Sequence, residues 1–123
     1  MTRYVISFDS GAMDHIAEAD LPEVGQAARA VVWEAVNAGV FVFAGGLHPQ
    51  QASVVDADGL VTDGPYPETK ELIGGLTVVD VPTREEAHAW AAKIAQACRC
   101  PQEVRELGPD PDLGAMLRQA HRA

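Results

Sequence analysis

Hydrophobic and polar positions along the chain repeat with two different periods, which predict both strands and helices. Residues 3–8 and residues 76–81 alternate, so each segment is expected to form a strand. Residues 40–44 are apolar without alternation, which is typical of a strand covered on both faces. Two further segments carry apolar residues at the i, i+3, i+4 and i+7 spacing of an amphipathic helix. These positions are Val24, Ala27, Ala28, Val31, Val32, Ala35 and Val36 in the first segment, and Ala87, Trp90, Ala91, Ile94 and Cys98 in the second.

Capping residues mark the ends of these helices. The first helix is expected to begin near Leu21 with Asp20 as its N-cap, and Gly39 suits a left-handed position at its end. The second is expected to begin after Thr83, which together with Glu86 three residues later forms the pattern of a capping box. These signals place each helix between two predicted strands.

The remaining segments predict a hairpin, a last strand and a tail. Residues 52–55 and 60–62 flank an Asp-Ala-Asp-Gly sequence at 56–59, which is typical of a β-hairpin turn. A last strand is expected over about residues 102–107, and the tail at 108–123 contains a short helical pattern. We therefore expect one domain over residues 1–107, followed by this tail.

The element order predicts the fold class. Strand–helix–strand, a hairpin, and strand–helix–strand again are typical of an α+β ferredoxin-like sandwich with an inserted β-hairpin. Two helices cover only one face of a four-stranded sheet, yet residues 40–44 and 76–81 carry apolar side chains on both faces. The second face therefore needs a cover, and a second copy of the same sheet is the simplest one, so the sequence predicts a symmetric homodimer.

Composition narrows the classes of partner. The chain has 123 residues with 9 Lys and Arg against 18 Asp and Glu, a formal net charge of −9. Such a surface repels nucleic acid and anionic membranes, so neither is expected as a partner. No stretch approaches the roughly 18 apolar residues of a membrane span, so a cytoplasmic location is expected.

Cys98 and Cys100 are the cysteines of the chain. A spacing of two residues is poor for a disulfide, and a structural zinc site usually needs four ligands, which this pattern does not supply. We expect two reduced thiols and no metal. There is no Gly-x-Gly-x-x-Gly or Walker A pattern either, so no cofactor is expected.

The most informative segment runs from Thr62 to Gly75 and reads Thr-Asp-Gly-Pro-Tyr-Pro-Glu-Thr-Lys-Glu-Leu-Ile-Gly-Gly. Together with Ala-Gly-Gly-Leu-His-Pro at 44–49 and the strand at 76–81, it resembles the YCII-related family. The closest resemblance is to the branch named for Asp-Gly-Pro-Phe, and it extends over roughly residues 1–107. It implies a ferredoxin-like fold and a dimeric α/β barrel.

Two departures from the family pattern stand out. Tyr66 occupies the place of the usual Phe, which keeps the aromatic ring and adds a hydroxyl group. Glu106 occupies a place where Pro often follows Glu-Val-Arg. Family members are mostly without an assigned activity, although some resemble small-molecule enzymes in which a His and an Asp are proposed as an acid–base pair.

His48 and Asp63 are the candidates for that pair here. A carboxylate beside an imidazole fixes the imidazole tautomer and raises its basicity, which gives a general base that works near neutral pH. The hairpin between the two residues returns the chain, so they can approach each other. In the alternative interpretation Asp63 holds a turn through its own side chain, and His48 is partly exposed.

Tyr66, Glu68 and Lys70 are the candidate substrate-binding residues. Lys70 is suited to pairing with an anionic substrate, and Glu68 to accepting a proton. Alternatively, these charged residues form a solvated loop or a set of ion pairs at an interface.

Two functions remain open at this point. The first is a small-molecule enzyme of lyase or isomerase type that uses His48 and Asp63. The second is a non-catalytic ligand-binding or regulatory homodimer, since members of the family often occur beside or joined to transcription regulators. In that case the Asp-Gly-Pro loop is architectural, and Trp33 or the tail recruits a partner.

Overall fold

The computed structural model describes residues 1–65 and 72–120. Nine strands and helices follow one another in this part of the chain. They are β1 (Thr2–Asp9), α1 (Leu21–Asn37), β2 (Phe41–Gly46), β3 (Ser53–Val55), β4 (Val61–Asp63), β5 (Ile73–Val81), α2 (Arg84–Cys98), β6 (Glu103–Glu106) and α3 (Pro111–Ala120). A short 3₁₀ helix over Glu18–Asp20 precedes α1.

The central sheet has four antiparallel strands in the order β2-β5-β1-β6, while β3 and β4 form a separate two-stranded hairpin. The helices α1 and α2 follow β1 and β5, so each connects an inner strand to an edge strand. This is the ferredoxin-like α+β arrangement with an inserted hairpin that the sequence predicts. The sheet has two open edges within a single chain and does not close into a barrel.

The hydrophobic core lies between the sheet and the helices. The register of β1 against β5 determines which side chains enter the core. Tyr4 pairs with Val79, and alternate residues of the two strands point to the same face. The buried core residues are Tyr4, Ile6, Val79 and Val81 from the sheet and Ala87 and Ala91 from α2. The alternation predicted for residues 76–81 and the apolar stripe predicted for α2 are confirmed, since Val79, Val81, Ala87 and Ala91 are buried in the core.

The two predicted N-caps have different outcomes. Thr83 is extended, and its hydroxyl accepts a hydrogen bond from the Glu86 N–H at 3.2 Å, so this cap is confirmed. Asp20 makes no side-chain cap, because it ends the preceding 3₁₀ turn with helical angles of φ −91° and ψ −12°. An N-cap side chain needs an extended backbone to reach back to the helix. Gly39 is left-handed at φ +74°, as predicted.

β5 begins at Ile73, three residues earlier than the sequence predicts, and includes Gly74 and Gly75. The predicted start is wrong because the two glycines do not interrupt the strand. They leave space for a neighbouring side chain. A Cβ atom on Gly75 would lie 2.6 Å from the Phe8 ring, and one on Gly74 would lie 3.0 Å from the same ring. The Phe8 ring therefore fills the space beside the two glycines.

The sheet face opposite α1 and α2 carries apolar side chains that residues 1–65 and 72–120 leave partly open to solvent. Val5, Leu76 and Val78 are half-buried there, and Phe43 of the edge strand β2 is 60% exposed. Coverage of residues 40–44 on both faces, as the sequence predicts, is thus not found within the part of the chain that the structure describes. No helix among residues 1–65 and 72–120 is long and apolar enough to cross a membrane.

Candidate functional site

His48 lies just beyond the end of β2, at the start of the connection to the hairpin. The Leu47 N–H donates to the Gly74 carbonyl at 2.9 Å, which holds this part of the chain beside the start of β5. The His48 side chain is exposed. The backbone carbonyl of His48 accepts a hydrogen bond from the Gln50 side-chain amide at 3.1 Å. The imidazole is therefore accessible at one end of the sheet.

Asp63 is the last residue of β4 and lies at the base of the hairpin, opposite Ser53. The next residue, Gly64, donates its N–H to the Ala52 carbonyl at 2.7 Å, and its carbonyl accepts from the Gln51 side-chain amide. Gly64 is buried so closely that a Cβ atom on it would lie 2.8 Å from Val54 Cγ2. The hydrogen bonds of Gly64 therefore hold the two strands of the hairpin together at their base.

The structure shows no contact between His48 and Asp63 among the described residues. Both side chains are exposed, and within the described residues neither a hydrogen bond nor an ion pair connects them. The Asp63 carboxylate also accepts no hydrogen bond from the described backbone, which is the contact that the turn-holding alternative requires. Both side chains are thus open to solvent.

The three candidate substrate-binding residues, Tyr66, Glu68 and Lys70, lie outside the described residues. The flanking positions are described: Pro65 is exposed on one side of them, and Leu72 is 45% exposed on the other. The Leu72 carbonyl accepts a hydrogen bond from the Ser10 N–H at 2.6 Å. Leu72 therefore lies beside the end of β1.

The described residues hold no group of three or more His, Cys, Asp or Glu side chains placed to bind a metal ion. Cys98 and Cys100 are both buried and free. Burial raises the pKa of each thiol, and the neighbouring Cys100 raises that of Cys98 further. Raised pKa values keep both thiols protonated at neutral pH, which makes them weak nucleophiles.

A concave region that sequence reasoning missed lies at the end of the sheet away from His48. A cavity of about 590 Å³ separates the sheet from the segment that leads into α3, and Arg3, Asp80 and Glu106 lie along it. The Tyr4 hydroxyl donates to Glu106 at 3.4 Å, and burial, then the Glu106 charge, raises the Tyr4 pKa. One available sequence signal is Asp80, an acidic residue within an otherwise apolar strand.

One known protein family matches most of the residues that form this fold. The YCII-related domain matches residues 14–106, which run from the loop before α1 to the end of β6. The chain belongs to the YCII-related domain family. This YCII-related region contains His48 and Asp63 and stops before α3. No curated protein matches the chain.

Proposed function

We propose that this YCII-related protein is a homodimeric small-molecule enzyme of the Asp-Gly-Pro-Phe branch, with acid–base chemistry of lyase or isomerase type. His48 acts as the general base or acid, and Asp63 orients its imidazole and stabilises the charged form. Tyr66, Glu68 and Lys70 bind or polarise the substrate. The proposed location is the cytoplasm, where Cys98 and Cys100 stay reduced.

The observation that carries the proposal is the distribution of exposed apolar residues. Half of the large hydrophobic residues that are exposed among residues 1–65 and 72–120 lie on β2, on the hairpin or at the start of β5. They are Phe43, Leu47, Val55, Leu60, Val61, Leu72 and Ile73. Exposed apolar surface of this kind marks an interaction surface. His48 and Asp63 lie within this region, so an occupant of it would desolvate both side chains.

A second copy of the chain is the occupant that we propose. The face formed by Val5, Leu76, Val78 and Phe43 has the apolar character of a sheet that packs against another sheet. Two such sheets packed face to face would form the dimeric α/β barrel that the family resemblance implies. A stable interface of standard size needs roughly 800 Å² from each partner. The dimer therefore serves both to cover the sheet and to enclose the site.

Burial at such an interface supplies the conditions for acid–base catalysis. In a site without bulk water, the attraction between an imidazolium and a carboxylate is stronger than at an exposed surface. A neutral His48 can then take a proton from the substrate, while Asp63 stabilises the imidazolium and the proton is returned in a later step. His48 and Asp63 are exposed in the single chain, so the proposed dimer would have to bury them.

The alternative is a non-catalytic, ligand-binding or regulatory homodimer. The missing contact between His48 and Asp63 in the described structure favours it, because a general base normally has its orienting partner within hydrogen-bond reach. In this case the covered region around His48 and Asp63 binds a small molecule without converting it. The net charge of −9 opposes direct contact with nucleic acid in either case.

The catalytic proposal is tested by proton exchange. Small cyclic and halogenated organic acids are incubated with the protein in D₂O, and NMR follows deuterium incorporation or conversion. His48→Ala and Asp63→Asn are expected to lower the rate by about 10²-fold or more. His88→Ala, which removes an exposed imidazole on α2, is the matched control and should leave the rate unchanged. Equal rates in the wild type and both site variants would remove the pair from the mechanism.

The dimer is tested separately by sedimentation. Phe43 and Trp33 are aromatic residues that are 60% and 63% exposed, on the open sheet face and on α1 respectively. Phe43→Glu is expected to produce monomers at micromolar concentration, because it places two charges in an apolar interface. Trp33→Glu should remain dimeric. A monomeric wild-type protein would refute the dimer, and ligand binding without turnover in a confirmed dimer would favour the alternative.

A further inference from the structure

The sheet face opposite α1 and α2, here called the open sheet face, carries its side chains in rows that run across the four strands. Paired residues of neighbouring strands lie side by side on the same face, so the strand register defines each row. Two neighbouring rows run from the β6 edge to the β2 edge. They are Arg105, Val5, Val78 and Phe43 in the first row, and Glu103, Ser7, Leu76 and Gly45 in the second row. Each row is thus charged at the β6 edge and uncharged across the other three strands.

The charges at the paired strand positions of this face balance, unlike those of the whole chain. Arg105 and Glu103 form an ion pair on β6, and Arg3 lies opposite Asp80 with its Nε atom 3.8 Å from Asp80 Oδ2. Two positive charges therefore meet two negative ones, whereas the chain as a whole carries a net charge of −9. Two copies of such an acidic chain repel each other over most of their surface. A face with balanced charge is where they can meet.

A symmetric dimer presents this face to itself, so the direction of the two-fold axis decides which residues meet. An axis along the strands would place the charged β6 edge of one copy over the apolar β2 edge of the other, where Phe43 lies. Charged groups covered by an apolar surface lose their hydration without gaining a partner. An axis across the strands instead places β6 over β6 and β2 over β2. The distribution of charge on the open sheet face therefore favours an axis across the strands.

This axis fits the charges when it passes between the two rows. Glu103 of one copy then faces Arg105 of the partner subunit, and symmetry repeats the contact. The two side chains are 49% and 67% exposed, so both are available to a second copy. At the other edge, a Cβ atom on Gly45 would lie 3.8 Å from Phe43 Cζ, so the Phe43 ring extends beside Gly45 and spans both rows. It would meet the same ring of the second copy.

We propose that the second copy packs on the open sheet face with its strands running in the opposite direction, and that Glu103 of each copy pairs with Arg105 of the partner subunit. The charged pairs lie at the β6 edge, which is the solvated rim of such an interface, and the apolar side chains lie inside it. This orientation rests on the proposed homodimer and adds to it which part of one copy reaches the site of the other.

The same axis brings the far end of one copy over the proposed site of the other. Arg3 and Asp80 lie one row before the first row, and Leu47 lies one row after the second, where its N–H donates to the Gly74 carbonyl. A two-fold axis between the two rows exchanges these positions. Arg3 of the partner subunit therefore faces Leu47, the residue before His48, and each site is bordered by both copies.

Charge reversal tests this orientation in the full-length protein by sedimentation equilibrium. Glu103→Arg and Arg105→Glu each place like charges opposite one another twice in a homodimer, so each is expected to weaken dimerisation by about tenfold or more. An equimolar mixture of the two variants is expected to recover the dimer, because every reversed charge then faces its opposite. Glu34→Arg is the matched control. It reverses an exposed charge that pairs with Lys93 on the helix side, and it should dimerise as the wild type does.

A measurement on the wild type locates the copies directly. In a mixture of isotope-labelled and unlabelled protein, filtered NMR experiments are expected to show nuclear Overhauser effects between the Leu47 methyl groups and Arg3 of the other copy. A monomeric wild type would refute both the dimer and this orientation. In a dimeric wild type, the orientation alone is overturned if the single variants dimerise unchanged or their mixture stays monomeric. It is also overturned if Leu47 contacts Leu47 of the other copy, and the proposed chemistry of His48 is then unaffected.

Discussion

Gly75 and Phe8 form the contact whose energetics can be predicted most directly. A Cβ atom on Gly75 would lie 2.6 Å from Phe8 Cζ, 2.7 Å from Cε1 and 3.1 Å from the Gly45 carbonyl oxygen. Two of these distances are shorter than a Cβ contact allows, so Gly75→Ala must displace either the ring or the strand. Overpacking of this kind costs about 1–3 kcal/mol. The alanine also loses less backbone entropy than glycine on folding, which returns roughly 0.4–1 kcal/mol.

The net expectation is a loss of about 1–2 kcal/mol in the free energy of unfolding, since the steric cost exceeds the entropic gain. Urea unfolding at a fixed protein concentration measures it, because a dimer would make the midpoint depend on concentration. With a slope of roughly 1–3 kcal/mol per molar, the midpoint should fall by about 1 M. Gly108→Ala is the control, since a Cβ atom there would meet no atom within 4 Å, and it should be neutral or slightly stabilising.

A double-mutant cycle tests whether the Phe8 ring is the cause. Phe8→Ala removes the ring that the new Cβ atom would meet, so Gly75→Ala should cost less in that background than in the wild type. The coupling free energy is expected to be about 1 kcal/mol, within the range found for residues in contact. Costs that add to within about 0.3 kcal/mol would refute the steric argument and place the strain at the Gly45 carbonyl or elsewhere.

Three further predictions concern local contacts. Asp56 Oδ1 accepts from the N–H groups of residues 58 and 60 at 2.9 Å each, so Asp56→Ala should speed amide hydrogen exchange in the hairpin turn, whereas Asp58→Ala should not. Thr83→Ala should cost about 1 kcal/mol in urea unfolding because it removes the α2 cap, and Thr83→Ser should retain it. The pKa values of the Cys98 and Cys100 thiols are raised by folding, so the folded state binds more protons at alkaline pH. Stability should therefore fall as the pH rises above about 8.5, and unfolding curves of a Cys98→Ala, Cys100→Ala double variant should show a shallower decline.

Local patterns predicted the elements whose partners are nearby in sequence. The alternation of residues 76–81 predicts a strand with Val79 and Val81 on the same face, and the structure buries both almost completely. The start of the same strand was predicted three residues late, because two adjacent glycines are typical of a break. Only the contact with Phe8, more than sixty positions earlier in the chain, shows why small residues are needed inside the strand.

Asp20 shows how a correct residue type can fail at the predicted place. Asp is among the best N-cap residues, and α1 does begin directly after it. However, residues 18–20 already form a 3₁₀ turn, which gives Asp20 a helical backbone and directs its carboxylate away from the cap position. Propensity describes the residue alone, whereas the outcome depends on the conformation of the residues before it.

The two ends of the sheet differ in how much of their chemistry the sequence reveals. At the hairpin end, the motif with Asp63 and Gly64 is contiguous, so the sequence identifies candidate residues, but the described structure leaves the His48 and Asp63 side chains exposed. At the other end, Arg3 and Asp80 lie far apart in sequence and meet only through the β1–β5 register. No local pattern encodes that register, because any residue of β1 on the same face is an equally good partner from composition alone. An acidic residue within an apolar strand is the signal that remains, and it calls for a partner wherever the strand is placed. The sequence is therefore most informative about motifs, and the structure is most informative about pairs.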